Sequence, residues 1–273
     1  MEVSVLMSVY QNEKVEYFET AMNSILTQTL APDEILLVQD GPLPRELEQA
    51  VVRYEESCPS LRVHRLPENV QLGRALRTGV ELCRNELIAR MDTDDIAVPA
   101  RLEHQRDFLE GHPEISVLGG WMEEFNDEGT YRCVKRMPET PEELLEYGKY
   151  RCPVNHMTVM FRKADVLECG NYQHFPNLED YHLWSRMLTS GKKFYNMQEV
   201  LVKSRTNQSL YARRGGYPYF KRYLSLRKMQ RRLGLLSSGE YAKSVFYTAG
   251  MTLTPNCVRA LLYKKVLRRA GGN

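Results

Sequence analysis

The sequence predicts an α/β fold in which a mostly parallel sheet is flanked by helices. Two features of the 273-residue chain indicate it: short apolar runs alternate with stretches of helical periodicity over the first hundred residues, and polar side chains follow the ends of these runs. Ligands of such sheets collect where the parallel strands end, so Tyr10, Asp40 and Asp92 are expected along one rim.

The first half of the chain supplies the regular part of this pattern. Its strands are short apolar runs, predicted at 3–9, 34–39, 61–66 and 87–91. The helices carry apolar residues near helical spacing and are predicted at 17–30, around 47–54, at 73–83 and from Pro99 onward. This order places each helix as a crossover between neighbouring parallel strands.

Beyond residue 110 the pattern is less regular. Strands are predicted at 116–121 and 158–161, and helices at 141–147 and 177–188. Three further helices are predicted at 217–233, 239–251 and 257–267. We therefore divide the chain into a domain of residues 1–210, with halves 1–110 and 111–210, and a helical extension of residues 211–273.

The composition excludes several classes of protein. Charged residues make up 26% and the hydrophobic set 42%, which is typical of a globular domain rather than a disordered or fibrous chain. No apolar run approaches the ~18 residues that cross a bilayer, and no basic segment precedes an apolar stretch at the start. The six cysteines form no C-x-x-C pair, which argues against a zinc knuckle. A reducing cytoplasm is the expected location.

The net charge of +2 conceals a division along the chain. Residues 1–210 hold 23 basic and 34 acidic side chains, whereas residues 211–273 hold 14 basic side chains and one acidic one. The last quarter is therefore strongly basic and is expected to have its own electrostatic partner.

An acidic cluster follows the fourth predicted strand. Asp92, Asp94 and Asp95 place three carboxylates within four residues, which is unfavourable unless a cation or hydrogen-bond donors neutralise them. Oxygen ligands of this kind suit Mg²⁺ or Mn²⁺. The alternative is an acidic turn that caps the helix beginning near Pro99.

Several blocks of sequence together resemble glycosyltransferase family 2. They are the segments 5–12, 24–28, 33–41, 69–73 and 91–95 with Pro99 and 101–102, and they occur in the family's order. Downstream, segments 155–156, 170–172 and 179–184 resemble the family's acceptor side, and 211–217 resembles bacterial transferases that build capsule, exopolysaccharide and O-antigen units. The resemblance implies a GT-A fold and an inverting, nucleotide-sugar-dependent reaction.

The resemblance also implies a nucleotide and metal site. Asp94 is the first choice as metal ligand and Asp95 the second, with Mn²⁺ or Mg²⁺ as the cofactor. The chain departs from the family pattern at Gln39, Gln71 and Leu76-Arg77, so Arg74 or Arg77 takes the place of a customary basic contact or is simply solvated. The nucleotide-binding residues implied are Ser8, Val9, Tyr10, Asp40, Asn69, Gly73, Arg77 and Asp92.

A catalytic base is implied at Asp180, with Glu179 beside it. A carboxylate within hydrogen-bond reach can remove the proton of an attacking hydroxyl. The alternative is structural: Asn177 would N-cap the helix and Asp180 would complete a capping box. His156 and Trp184 are candidate acceptor contacts, although His156 could equally be structural and Trp184 is most simply a core residue.

The basic extension has two interpretations. Its cations, interleaved with aromatic residues, suit nucleic acid. They equally suit an anionic membrane surface, where polyprenyl-diphosphate acceptors reside. With a sugar-transfer site upstream, the membrane is favoured and no nucleic acid is expected. Arg213 and Arg214 serve that surface or close over the donor diphosphate.

These patterns converge on one hypothesis. The chain is predicted to be a metal-dependent inverting glycosyltransferase that moves a sugar from a UDP-sugar to a glycan or lipid-linked acceptor, as a peripheral protein on the inner face of the plasma membrane. The alternatives are a sugar-nucleotide nucleotidyltransferase, which would be expected to carry a glycine-rich loop after the first strand, and a non-catalytic basic binding protein.

Overall fold

The computed structural model describes residues 1–206 and 216–254, and it shows nine strands that form one sheet with helices on both faces. The strands are β1 Val3–Val9, β2 Glu34–Gln39, β3 Leu61–Arg65, β4 Leu87–Asp92, β5 Ile96–Ala97, β6 Ile115–Phe125, β7 Arg132–Lys135, β8 Met160–Arg162 and β9 Lys193–Arg205.

The helices lie mostly between these strands. They are α1 Val15–Leu26, α2 Arg45–Ser57, α3 Leu72–Leu82, α4 Arg101–Gly111, α5 Pro141–Gly148, α6 Lys163–Glu168, α7 Glu179–Thr189, α8 Tyr217–Arg232 and α9 Ser238–Leu253, together with a 3₁₀ turn at His156–Thr158. The predicted helix at 257–267 and the candidates Arg213 and Arg214 lie outside the described residues.

The first four strands form the predicted parallel sheet. Their order is β3-β2-β1-β4, and every pair in this set is parallel. In this register Ser8 of β1 lies between Val38 of β2 and Asp92 of β4. The carboxyl ends of β1, β2 and β4 therefore meet at one rim, as the strand and helix alternation predicts.

The second half adds antiparallel pairs to the predicted parallel sheet, so the complete sheet is mixed. Strand β8 is antiparallel to both β4 and β6, whereas β9 is parallel to β6 and antiparallel to β5. Strand β9 escapes a pattern search because polar residues interrupt it and its pairing with β6 shifts register three times. The sequence pattern also missed β5, β7 and α6, which are two to six residues long.

The core consists of apolar layers on the two faces of the sheet. Alternate residues of β1 point to opposite layers: Met7 belongs to the layer that includes α1, and Leu6 to the layer that includes α3 and α7. Helix α3 approaches the sheet closely, since a Cβ on Gly79 would lie 2.3 Å from Leu6 Cδ1. This close packing fixes the first turn of α3 beside the rim.

Helices α8 and α9 pack onto the domain through α7. Leu226 of α8 is fully buried in a small apolar cluster with Leu178 and Tyr181 at the start of α7. Helix α9 then lies along α8. Within residues 1–206 and 216–254, no helix has the length and apolar character needed to span a bilayer.

Candidate active site

The predicted nucleotide residues lie together at the rim. Ser8 and Val9 end β1, Asp92 ends β4, and Asp40 follows β2, where its backbone N–H donates to the Val9 carbonyl at 2.8 Å. Tyr10 is 40% exposed immediately after β1. Short-range register along adjacent strands thus brings these five positions to one edge.

Asp40 forms a packed corner with the loop before α3. Its Oδ1 accepts a hydrogen bond from the Val70 N–H at 2.6 Å, and Asn69 Nδ2 donates to the Asp40 carbonyl at 3.3 Å. Gly41 has φ +88°, and a Cβ there would lie 2.6 Å from the Asn69 nitrogen, so the corner requires glycine. Burial raises the pKa of Asp40, against the opposing effect of hydrogen bonds from Val70 and Gln71.

The three aspartates after β4 form one cluster. Ligand oxygens of Asp92, Asp94 and Asp95 all lie within 4.8 Å of one another. Asp95 is 2% exposed; its Oδ1 accepts from the Arg205 N–H at 2.9 Å, whereas its Oδ2 has no hydrogen-bond partner among the described residues. A buried carboxylate oxygen without a donor is unfavourable, so this atom is suited to an added ligand.

Only part of this negative charge is neutralised by a protein cation. Arg90, which is buried, forms an ion pair with Asp92. Burial, followed by the charge of Asp92, raises the pKa of Asp94 to about 7, and the same causes raise the pKa of Asp95 well above its ordinary value. The geometry and oxygen chemistry fit a divalent cation such as Mg²⁺ or Mn²⁺, whose charge would favour the ionised carboxylates.

Three residues that sequence reasoning did not assign complete the cluster. Glu13 Oε2 accepts from Thr93 Oγ1 at 2.6 Å, Arg205 Nε donates to the Asp94 carbonyl at 3.2 Å, and Arg90 holds Asp92. Arg90 stands two positions before Asp92, so the sequence itself places this basic side chain near the cluster. Glu13 and Arg205 carried no such signal, because they come from about 80 and 110 residues away along the chain.

The predicted base lies at the start of α7. Asp180 Oδ1 accepts from the Tyr181 N–H at 2.7 Å, and the Cys152 sulfur lies 3.5 Å from Oδ2, with its thiol hydrogen shared with the Val154 carbonyl at 3.3 Å. The capping-box alternative is wrong: Leu178 occupies the N-cap position without a side-chain cap, and Asn177 has φ +65°. The left-handed backbone at Asn177 places that residue before the cap rather than at it.

Glu179 faces the rim from the first position of α7. It is 9% exposed, and a Cβ on Gly73 would lie 3.1 Å from Glu179 Cβ, so glycine allows the first turns of α3 and α7 to meet. Burial, followed by the charge of Asp180, raises the pKa of Glu179 to about 7. The charge of Arg90 lowers this pKa and the charge of Asp92 raises it, both to a smaller extent.

The weaker candidates have more ordinary surroundings. Trp184 is fully buried, with Phe194 edge-on at 5.7 Å, so it lies in the core and offers no surface to an acceptor. His156 Nε2 lies 2.8 Å from the Tyr172 hydroxyl, and burial lowers its pKa well below the ordinary value. Arg77 is exposed on α3 and pairs with Glu81 at 3.2 Å.

Comparison with known proteins identifies the family. Residues 4–167 match the family described as Glycosyl transferase family 2. The chain is 37% identical over 265 residues to the amylovoran biosynthesis glycosyltransferase AmsE of Erwinia amylovora, covering 96% of this chain and 98% of AmsE. The chain belongs to glycosyltransferase family 2. It is therefore a glycosyltransferase.

Other relatives agree with this membership. The chain is 32% identical over 267 residues to the UDP-Gal:alpha-D-GlcNAc-diphosphoundecaprenol beta-1,3-galactosyltransferase of Escherichia coli, covering 97% of this chain and 96% of that relative.

Solved structures show the GT-A fold. The S. aureus TarS 1-349 complex with UDP-GlcNAc superposes with a TM-score of 0.70 at 16% identity, covering 97% of this chain and 76% of that one. The chain spans 46% of the longer TarS chain. The Pyrobaculum calidifontis mannosyltransferase PcManGT, in complex with GDP-Man and Mn²⁺, gives a TM-score of 0.61 at 16% identity, covering 98% of this chain and 82% of that one.

The raised pKa of Glu179 predicts a pH-dependent effect of Glu179→Gln on stability. An acid whose folded pKa lies above its unfolded value of 4.5 binds more protons when folded, so stability falls as pH rises from about 4.5 to about 7. Urea unfolding in EDTA should show Glu179→Gln stabilised over the parent by about 3 kcal/mol at pH 8.5 and by about 1 kcal/mol or less at pH 5. The exposed control Glu114→Gln should show no such dependence, and equal effects of Glu179→Gln at both pH values would refute the prediction.

Proposed function

We propose that this family 2 enzyme is a metal-dependent inverting glycosyltransferase that uses a nucleotide-diphosphate sugar, with UDP as the expected nucleotide. One observation carries the proposal: ligand oxygens of Asp92, Asp94 and Asp95 lie within 4.8 Å of one another at the end of β4, and the acidic start of α7 packs against the first turn of α3 at Gly73. A diphosphate donor needs its charge offset, and an attacking hydroxyl needs a base. The rim supplies residues for both.

The nucleoside is assigned to the corner of Asp40 and the strand ends. Ser8, Val9 and Tyr10 would line the base and ribose, Asn69 would border them, and Asp92 would hold the ribose. The Asp40 carboxylate accepts from Val70 through Oδ1 and retains lone pairs for a donor such as the N3–H of uracil. This charge-assisted hydrogen bond favours a base that carries a donor at that position.

The cation is assigned to Asp94 and Asp95. The unpartnered Oδ2 of Asp95 and the raised pKa of Asp94 both favour a positively charged ligand between them. Mg²⁺ or Mn²⁺ bound there would offset the negative charge of the departing diphosphate. Arg90 and Arg205 hold Asp92 and the backbone of Asp94 in place for this role.

Asp180 is assigned as the base. It takes the proton of the acceptor hydroxyl while that oxygen bonds to the anomeric carbon and the bond from this carbon to the diphosphate oxygen breaks. The hydroxyl attacks opposite the leaving group, so the product is a glycoside of inverted configuration and a nucleoside diphosphate. Glu179, whose pKa is raised to about 7, borders the same space.

The relatives support a place in bacterial polysaccharide synthesis. One is named for amylovoran biosynthesis, and another for transfer of galactose from UDP-Gal to a GlcNAc-diphosphoundecaprenol. We assign this chain a glycan or polyprenyl-diphosphate-linked acceptor on the same grounds. The family membership leaves no role for the alternatives of a nucleotidyltransferase or a non-catalytic binding protein.

An anionic membrane is the proposed docking partner of the C-terminal helices. Residues 216–254 carry seven basic side chains and one acidic one. The face of α9 that is turned away from α8 is apolar, with Phe246 83% exposed and Leu253 50% exposed, and Ala242 and Gly250 complete it at helical spacing. Cations that attract anionic lipid beside an apolar helix face form a typical peripheral membrane site.

Asp94→Asn should weaken metal-dependent binding of UDP. The substitution removes one negative ligand of the proposed cation site at almost constant size. UDP is titrated calorimetrically into protein that contains Mn²⁺ in about 5-fold excess. The parent should show binding that EDTA removes, and the variant should bind at least ~10-fold more weakly. The exposed control Asp107→Asn should bind as the parent does. Equal metal-dependent affinity in parent and Asp94→Asn would exclude Asp94 as a ligand.

Asp180→Asn should lower kcat while UDP affinity is retained. The amide keeps the shape of the side chain but cannot accept the proton, so a loss of roughly 10² to 10⁴ in kcat is expected. Coupled assays of UDP release would measure kcat, and calorimetry would measure UDP binding on the same preparation. A variant that retains more than about half of the parental kcat would rule out Asp180 as the base.

Phe246→Ser should weaken membrane binding without affecting the fold. Flotation with vesicles containing phosphatidylglycerol should carry the parent upward and the variant to a markedly smaller extent, because a large apolar anchor is lost. Leu167→Ser, at a 40% exposed position of α6, is the matched control and should float as the parent does. Equal flotation of Phe246→Ser and the parent would contradict the assignment. So would flotation of the parent with neutral phosphatidylcholine vesicles to the same extent as with the anionic ones.

A further inference from the structure

A buried arginine joins the C-terminal helix α8 to the catalytic domain. Arg227 is 1% exposed, and its guanidinium lies within hydrogen-bond distance of four neutral oxygens, three of which share the two hydrogens of Nη1. These acceptors are the carbonyls of Lys149 and Tyr150 at 2.8 and 2.6 Å, the Tyr181 hydroxyl at 2.9 Å and Gln230 Oε1 at 2.8 Å. Removing a guanidinium from water is costly, so a position that needed only apolar packing would favour a residue such as leucine or methionine.

Two successive turns of α7 are held in this way. The Tyr181 hydroxyl accepts a hydrogen bond from Arg227 and donates one to the Gly148 carbonyl at 2.8 Å. One turn later, Ser185 Oγ accepts from Gln230 Nε2 at 2.9 Å. Tyr181 and Ser185 are four residues apart and therefore share one face of α7. These contacts with α8 thus fix the rotation of α7 about its own axis and its position along that axis.

The same contacts surround Asp180. The Tyr181 N–H donates to Asp180 Oδ1. The Cys152 sulfur, two residues after the carbonyl of Tyr150, lies 3.5 Å from Oδ2 and shares its one thiol hydrogen between this oxygen and the Val154 carbonyl at 3.3 Å. Arg227 therefore fixes the residue that follows Asp180 and also the segment that carries Cys152. Cys152 in addition packs against the apolar cluster of Leu178, Tyr181 and Leu226.

We propose that Arg227 is a positioning residue for the base, so that helix α8 belongs to the catalytic apparatus as well as to the basic surface. Through Tyr181 and the 149–152 segment, Arg227 holds the Asp180 carboxylate in the orientation that meets the acceptor hydroxyl. A displacement of about 1 Å in such a group can cost on the order of 10² in rate. The proposal rests on the function proposed above for Asp180.

A double-mutant cycle on the full-length enzyme tests this role. Arg227→Met should lower kcat by about 10- to 100-fold and change the donor KM by less than about 3-fold. The reason is that the proposed donor residues lie at the ends of β1, β2 and β4, whereas Arg227 contacts α7. Arg227→Lys should recover part of the rate, since lysine retains the charge but not the fork of donors. In the Asp180→Asn background, Arg227→Met should cost less than about 2-fold further, because the base through which it acts is already absent.

The controls separate the possible outcomes. Arg53→Met, at an exposed arginine of α2, should leave kcat unchanged. If Arg227→Met fails to fold, Tyr181→Phe removes only the hydroxyl between Arg227 and Gly148 and should lower kcat by about 3- to 10-fold, again only when Asp180 is present. Losses that multiply fully in the double variant would overturn the proposal. Full activity of Asp180→Asn alone would refute the assigned base instead.

Discussion

The repulsion among three carboxylates at the end of β4 governs the chemistry of the rim. Asp92, Asp94 and Asp95 have ligand oxygens within 4.8 Å of one another; Asp95 is buried, and Asp92 and Asp94 are half-buried. Burial, and after it the negative charge of Asp92, disfavours the ionised form of Asp94 and raises its pKa. One buried arginine balances Asp92, whereas Asp95 Oδ2 has no hydrogen-bond partner among residues 1–206 and 216–254.

This constraint extends to helix α7. Glu179 is buried beside the cluster and beside Asp180, and the raised pKa of Glu179 means that its ionised form destabilises the fold at neutral and alkaline pH. Buried contacts elsewhere offset that strain: Gly73 allows α3 and α7 to meet, and Arg227 and Gln230 fasten α7 to α8. Bound substrate and metal would reduce the repulsion among the carboxylates at the rim. The stability of the empty enzyme and its affinity for ligand are therefore linked.

Local patterns predicted which residues lie at the ends of β1, β2 and β4, and distant contacts limited the prediction of the rest of the rim. Strands β1 to β4 are short apolar runs, and the polar residues after them follow the carboxyl ends of parallel strands, so the Asp40 and Asp92 positions could be placed from the sequence. Arg205 reaches Asp94 from β9, and Arg227 reaches Tyr181 from α8, so no short pattern contains either contact. The N-cap predicted at Asn177 was wrong because that backbone is left-handed, which a residue pattern does not reveal.

The most direct test of the account is an anomalous diffraction map from crystals soaked with MnCl₂ and UDP. The account predicts a single manganese peak at about 2.0 to 2.4 Å from carboxylate oxygens of Asp94 or Asp95, bridged to the diphosphate of UDP. A map with UDP bound and no metal peak, or with a lysine or arginine of the chain occupying that position, would contradict the central claim that these carboxylates exist to hold a divalent cation against a diphosphate.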